Sequence, residues 1–249
     1  MPSSFNIGVI AQRTLGLGLA FAILAAWLST HIVGIFYVPF ENVTLVVTVV
    51  ALQCWLNVGL FIIAHDCMHG SLAPRWPKVN TLVGKLCLAV YAGFSYAKLL
   101  PAHHRHHRAP GTGEDPDFSV AHSDNLMLWF VEFVRRYFGL REFGILTALL
   151  TFYLLVFAVP LERMLLFWAL PAIASSMQLF YFGTYLPHRT KPEPFQDEHR
   201  TRSNEFGFWG SLFSCYHFGF HHAHHLYPGV PWWGLPRVHE SEVSPTASS

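Results

Sequence analysis

Four apolar runs, each close to the roughly 20 residues a helix needs to cross a bilayer, limit what this chain can fold into. They are Leu15 to Val38, Val43 to Ala64, Phe143 to Val159 and Met164 to Leu186. Pro39-Phe40-Glu41-Asn42 joins the first pair and Pro160-Leu161-Glu162-Arg163 the second. Connections this tight make each pair a helical hairpin. The chain is 52% hydrophobic and 12% charged, against about 25% charged in soluble domains. The expected fold is an all-α integral membrane protein with four transmembrane helices in two hairpins. Arg13 ahead of a Leu/Ala-rich core also has the outline of a secretory signal, but the run continues past any cleavage site and reads as a span. His31 interrupts its distal end, which predicts a helix stopping near Ser29. Leu86 to Phe94, between Lys85 and Lys98, is too short to cross and is expected in the interface or dipping into it.

Positive charge sets the orientation. With four crossings, the N-terminus, the segment between spans two and three, and the tail share one side. That side carries fifteen of the sixteen Lys and Arg; the exception is Arg163 in the second tight turn. The positive-inside rule makes it cytosolic, which in a bacterium is the inner face of the plasma membrane. The middle segment and the tail must then form a helical cap on that face. Asp124 to Tyr137 has the make-up of an interfacial helix, and Pro231-Trp232-Trp233 that of an aromatic anchor at headgroup level. Residues 1–240 read as one domain and 241–249 as a disordered tail. A net charge of +1 offers nothing to a polyanion, so no nucleic-acid partner is expected. Cys54, Cys67, Cys87 and Cys215 are scattered without paired spacing, which fits free thiols better than a disulfide framework.

The sixteen histidines are the chemical anomaly. His65-Asp66-Cys67-Met68-His69 ends span two. His103-His104-Arg105-His106-His107 lies in the middle segment, His221-His222-Ala223-His224-His225 lies in the tail, and His188 ends span four. Residues three or four apart share a helix face. His65 thus pairs with His69, His103 with His106 and His107, and His221 with His224 and His225. With His188 these are nine imidazoles, too many for one ion and suited to two, and all fall on the cytosolic side. Imidazole ligands suit zinc, copper, iron or nickel. His65-Asp66-x-x-His69 is close to the zinc-protease pattern, so a zinc-dependent membrane hydrolase with Asp66 as its acid is one alternative. A histidine-rich metal transporter is another, although its ligands should line a path across the bilayer. The ligand number favours a two-metal redox site. His104 and His222 sit between ligand positions. His217 could join the site or orient it, and Asp66, Asp115 and Asp117 could hydrogen-bond ligand imidazoles or serve as caps and turn residues. His31, His122, His199 and His239 read as ordinary histidines.

Three histidine boxes of this kind resemble those of the membrane fatty acid desaturase and hydroxylase superfamily. Further motifs resemble the bacterial carotenoid ketolases within it: Asp115-Pro116-Asp117-Phe118, Tyr185-Leu186-Pro187-His188-Arg189, Tyr216-His217-Phe218-Gly219-Phe220 ahead of the last box, and Pro231-Trp232-Trp233. The resemblance runs from about Asn57 to Pro236. Ala223 departs from it, since related sequences often carry an acidic residue there. The resemblance implies two irons, dioxygen as co-substrate and an external electron donor such as reduced ferredoxin. It also implies oxidation of C4 of the β-ionone ring, taking β-carotene through echinenone to canthaxanthin by two hydroxylations and loss of water. Other members of the superfamily, acting on fatty acyl chains or other ring carbons, share the boxes and remain the nearest alternative.

Overall fold

The computed structural model describes residues 7–243, and these contain helices and no strands. Three helices are long and apolar enough to cross a membrane: α1 (Val9–Phe36), α2 (Val43–His69) and α7 (Leu161–His188). Two bent pairs complete the framework. α3 (Pro77–Ala92) meets α4 (Tyr96–Arg108) at 102°, and α5 (Leu126–Tyr137) meets α6 (Leu140–Val156) at 82°. Counting each bent pair as one span gives up to five. Three short helices follow: α8 (Phe208–Cys215), α9 (His221–Leu226) and α10 (Leu235–Val243). This is a membrane protein.

α2 is the axis of the fold. Val58, Leu60, Ile62, Ile63 and Ala64 are fully buried, and α1, α3, α4, α7 and α8 all pack on it. At about 1.5 Å per residue its 27 residues reach about 40 Å, beyond the roughly 30 Å hydrocarbon core. The helix is thus long enough for its last turns, which hold His65 and His69, to extend beyond the hydrocarbon. Gly70 ends the helix with φ +71°, the left-handed conformation a glycine adopts without steric cost. Gly93 (φ +69°) ends α3 in the same way. On the lipid side, Phe21 and Leu155 are more than 70% exposed, as helices solvated by acyl chains allow.

The far end of the bundle is closed by the one Lys or Arg there among the described residues. Arg163 donates to the carbonyls of Ile35 (2.6 Å) and Val38 (2.7 and 2.9 Å), which the end of α1 leaves without helical partners. α1 does not stop near Ser29. It runs through His31, whose ring stacks on Trp27 and meets the Tyr153 hydroxyl at 3.1 Å. α2 likewise outlasts Ala64 by more than a turn, because its final residues are buried under the cap. The expected third span is α6, with 17 residues, turned out of α5. Leu86 to Phe94 belongs to α3, in a bent pair whose geometry suits a broken span or a re-entrant loop, and Cys87, Leu88 and Tyr91 pack in the main core beside α2.

α7 widens twice into π-helical turns, at Leu165–Ala169 and Tyr181–Tyr185. Each lies just ahead of a proline, Pro171 or Pro187, whose ring cannot coexist with a normal hydrogen bond to the carbonyl four residues back. The expected interfacial helix is α5; it buries Trp129 against Phe118, Phe180 and Tyr185. Pro231-Trp232-Trp233 is no headgroup anchor. Trp232 is buried against Tyr216, and Trp233 reaches the α1 backbone at Gly16. The segment is held inside because the Trp232 N–H has a buried acceptor, Asp66. Ser241 to Val243, expected to be disordered, continue α10; residues 244–249 of that expected tail lie outside the described residues.

The α3–α4 corner is a tight joint. A Cβ on Gly84 would lie 2.3 Å from the Tyr96 ring, and Tyr96 opens the helix that carries the second histidine box. Gly84→Ala should therefore cost about 1–3 kcal/mol through overpacking. A lowered detergent melting temperature, with metal lost at lower temperature than in the parent, is the expected observation.

Candidate metal centre

Four remote segments bring the nine imidazoles together. The end of α2 supplies His65 and His69, α4 supplies His103, His106 and His107, the last residue of α7 is His188, and α9 supplies His221, His224 and His225. They fall into two sets. His65, His69, His103, His107 and His224 form one; His106, His188, His221 and His225 form the other. In each set the facing nitrogens all lie within 4.8 Å of one another. The helical pairing is thus finer than the sequence spacing indicates. Partners four apart, His103 with His107 and His221 with His225, stay together. The member three apart, His106 or His224, crosses to the other set. Adjacent positions diverge by about 100° around a helix axis, so His106 and His107 cannot point at the same ion.

The nitrogens are spaced for a shared ion. Nε2 atoms face each other at 3.0 Å (His188 and His221), 3.1 Å (His221 and His225) and 3.1 Å (His107 and His224). Two nitrogens about 2.1 Å from one ion, at tetrahedral or octahedral angles, are roughly 3.0–3.4 Å apart. His65, 3% exposed, has no hydrogen bond on either ring nitrogen. A buried polar atom without a partner is costly, and a cation is the partner that set can accept. Burial pushes His221, His224 and His225 well below the ordinary histidine value, and neighbouring imidazoles push further. They are neutral, the ligating form.

Groups behind the rings fix their tautomers. The His106 Nδ1–H donates to both oxygens of Asp115 at 3.0 Å, and the His188 Nδ1–H donates to the Arg200 carbonyl at 2.9 Å. A carboxylate and a carbonyl only accept, so whenever either ring is neutral its Nε2 lone pair faces the cluster, as metal-ligating histidines require. Burial alone would lower His106, but Asp115 and then Asp117 hold it above the usual value. Burial opposes ionisation of Asp115, yet His106 and the N–H groups of Asp117 and Gly111 keep it below the usual carboxylate range. Asp66 is 3.6 Å from His65 Nδ1 and accepts from the Trp232 N–H at 3.1 Å. Asp117 is 3.9 Å from His106 Nδ1 and accepts from the Tyr137 hydroxyl.

The remaining histidines stand apart. His217 joins neither set; its ring lies among Phe208, Phe220 and Trp232. His104 meets the Met68 carbonyl, and His222 pairs with Asp197 at 2.9 Å. Sequence reasoning missed the Arg200 carbonyl and the Trp232 N–H, backbone groups without a side-chain signature, and also Tyr137. A cavity of about 440 Å³ opens beside the cluster. His65, His103, His106, His221 and Asp117 form one end, Phe61, Phe94, Phe130, Phe133, Phe180 and Phe218 the walls, and Ala169, Ala172 and Ile173 of α7 another side.

The sequence profile of the fatty acid desaturase family matches residues 41–146 and 127–248, which together include every box. The chain belongs to the fatty acid desaturase family. Among curated relatives, a β-carotene ketolase of Paracoccus sp. (strain PC1) is 44% identical over 94% of this chain and 96% of its own. One of Paracoccus sp. (strain N81106 / MBIC 01143) is also 44% identical, over 86% of this chain and 88% of its own. A zeaxanthin 4-ketolase of Chlamydomonas reinhardtii is 34% identical over 90% of this chain and 53% of its own.

The partition into two sets makes a separable expectation. His188→Ala or His225→Ala should deplete one ion per chain, His69→Ala or His107→Ala the other, each leaving about half the metal of the parent by elemental analysis. Asp115→Asn should weaken only the His106 set, by about 10–100-fold in metal retention against a chelator.

Proposed function

We propose that this desaturase-family protein is a β-carotene 4-ketolase, with two irons held by the nine histidines. The observation that carries the reading is two adjacent all-imidazole sets at one end of an apolar cavity. Its close relatives bear the ketolase name. The fold is read as four transmembrane crossings, with α6 as the third, and with both termini and the cap in the cytosol of a bacterial inner membrane, as the distribution of Lys and Arg supports. Residues 1–240 are taken as one domain.

Bound iron would supply the activation of dioxygen that an unactivated C–H bond demands. The protein's own tasks are orientation and exclusion of water. A carotenoid ring offers no polar handle, so the phenylalanine walls must place it by shape, with its C4 methylene toward His65, His103, His106 and His221. Ile173 both lines the cavity and is 65% exposed on α7, which suits entry from the surrounding lipid. Each hydroxylation takes one dioxygen, two electrons and two protons, and releases one water. Two at one carbon give a geminal diol, which loses water to the ketone. The electrons come from an external carrier protein such as reduced ferredoxin.

A zinc hydrolase fits less well. Its acid would have to face the substrate, whereas Asp66 is 2% exposed, bonded to the Trp232 N–H and absent from the cavity wall. A transporter fits worse, because the ligands gather at one end of the bundle.

Expression in a β-carotene-producing bacterium should yield echinenone first and canthaxanthin later, with iron as the dominant metal in purified protein. An unchanged carotenoid pool with new double bonds or hydroxyls in membrane lipids would replace this reading with an acyl-chain activity. Stoichiometric zinc with turnover in the absence of dioxygen would remove the redox reading altogether.

A further inference from the structure

Asp117 is the one carboxyl in the wall of the aromatic cavity. It also borders a smaller lobe of about 80 Å³, beside His65, His103 and Tyr137. A carboxyl in an apolar wall costs free energy unless something bonds to it, and an unsubstituted hydrocarbon ring can offer it nothing. Supporting His106 does not account for it either, since Asp115 already accepts the Nδ1–H with both oxygens at 3.0 Å. Yet Asp117 is held firmly. Its N–H donates to Asp115 (2.8 Å), its carbonyl accepts from Trp129 Nε1 (2.8 Å), and the Tyr137 hydroxyl donates to Oδ1. Oδ2 has no hydrogen bond among the described residues, and lies 3.9 Å from His106 Nδ1.

We infer that Asp117, oriented by Tyr137, accepts the hydroxyl that the first oxidation places on the ring, and so retains the hydroxylated intermediate for the second. The inference rests on the ketolase reading. The substrate acquires a donor only after one oxygen has been inserted into a C–H bond, and the cavity holds a fixed acceptor beside the histidines where that oxygen arrives. An alcohol bonded to a carboxylate binds better than the same ring in an all-apolar wall, which discriminates against a hydroxyl. Asp117 is therefore a specificity residue for the second oxidation and selects for hydroxylated rings.

The test compares β-carotene with its 4-hydroxylated derivative as substrates for membrane preparations of the parent, Asp117→Leu, Asp117→Asn and Tyr137→Phe, normalised to bound iron. In Asp117→Leu, kcat/KM for the hydroxylated ring should fall at least about tenfold more than for β-carotene, with free 4-hydroxy product accumulating. Asp117→Asn keeps an acceptor and should restore the ratio to within about threefold. Tyr137→Phe should shift it the same way as Asp117→Leu, by about two- to fivefold, and decides the matter where the leucine variant does not accumulate. Equal losses on both substrates, without released intermediate, would make Asp117 purely structural and overturn the inference. A parent protein that oxidises neither carotenoid would instead refute the ketolase reading itself, and the role of Asp117 with it.

Discussion

Nine imidazoles, six of them buried, crowd their lone pairs into two small volumes, and the rest of the structure depends on what neutralises that arrangement. The lone pairs repel one another, and burial has removed the water that would otherwise bond them. Where the ligand set is assembled from remote segments, metal binding and folding share one free energy. Here the segments are the end of a membrane helix, a corner helix, the end of a second membrane helix and a short tail helix. None of these could hold the cap alone: α9 has six residues, too few to be a stable helix on its own. The cap is better described as folded around its ligand set than as a domain that happens to contain one.

The bilayer determines where that set lies. α2 overshoots the hydrocarbon thickness by roughly 10 Å, enough to carry His65 and His69 just past the apolar zone. His65 lines a cavity walled by phenylalanines that continue the membrane's own character inward. His69, His104 and His107 also border a separate depression with Arg108.

Much of this is legible in the sequence because two independent periodicities coincide: apolar runs of bilayer length, and histidines spaced by three and four. Of the nine residues that converge, the spacing selects eight, and His188 is selected by its place at the end of the last span. Their division into five and four is not legible, because i+3 and i+4 neighbours look equivalent until the helix phase relative to a second helix is known. Asp115 is readable as a turn residue or as a support for a ligand, and it serves as both at once. Trp232 and Trp233 mislead for a simple reason: tryptophan near a membrane suggests the interface, but a backbone N–H bond to Asp66 draws this pair into the core. The first span misleads similarly, since a buried histidine looks like a helix end until Trp27 and Tyr153 are seen to surround it.

His188 shows how local irregularity can place a candidate ligand. A π-turn inserts one residue into the helical repeat, which rotates everything beyond it by roughly 100°. Without the turn at Tyr181–Tyr185, the end of α7 would point His188 away from His221 instead of leaving the two Nε2 atoms 3.0 Å apart. The sequence enforces that turn from both sides. Pro187 removes the backbone donor and crowds the carbonyl at Gly183. At Gly183 itself a Cβ would come within 2.8 Å of the Phe218 ring, so the widened turn lies directly against the segment leading into the last histidine box. A proline that would merely kink a membrane helix elsewhere here sets the rotation of a candidate ligand, and the small residue beside it lets the tail segment come close enough to bring His221 and His225 to it.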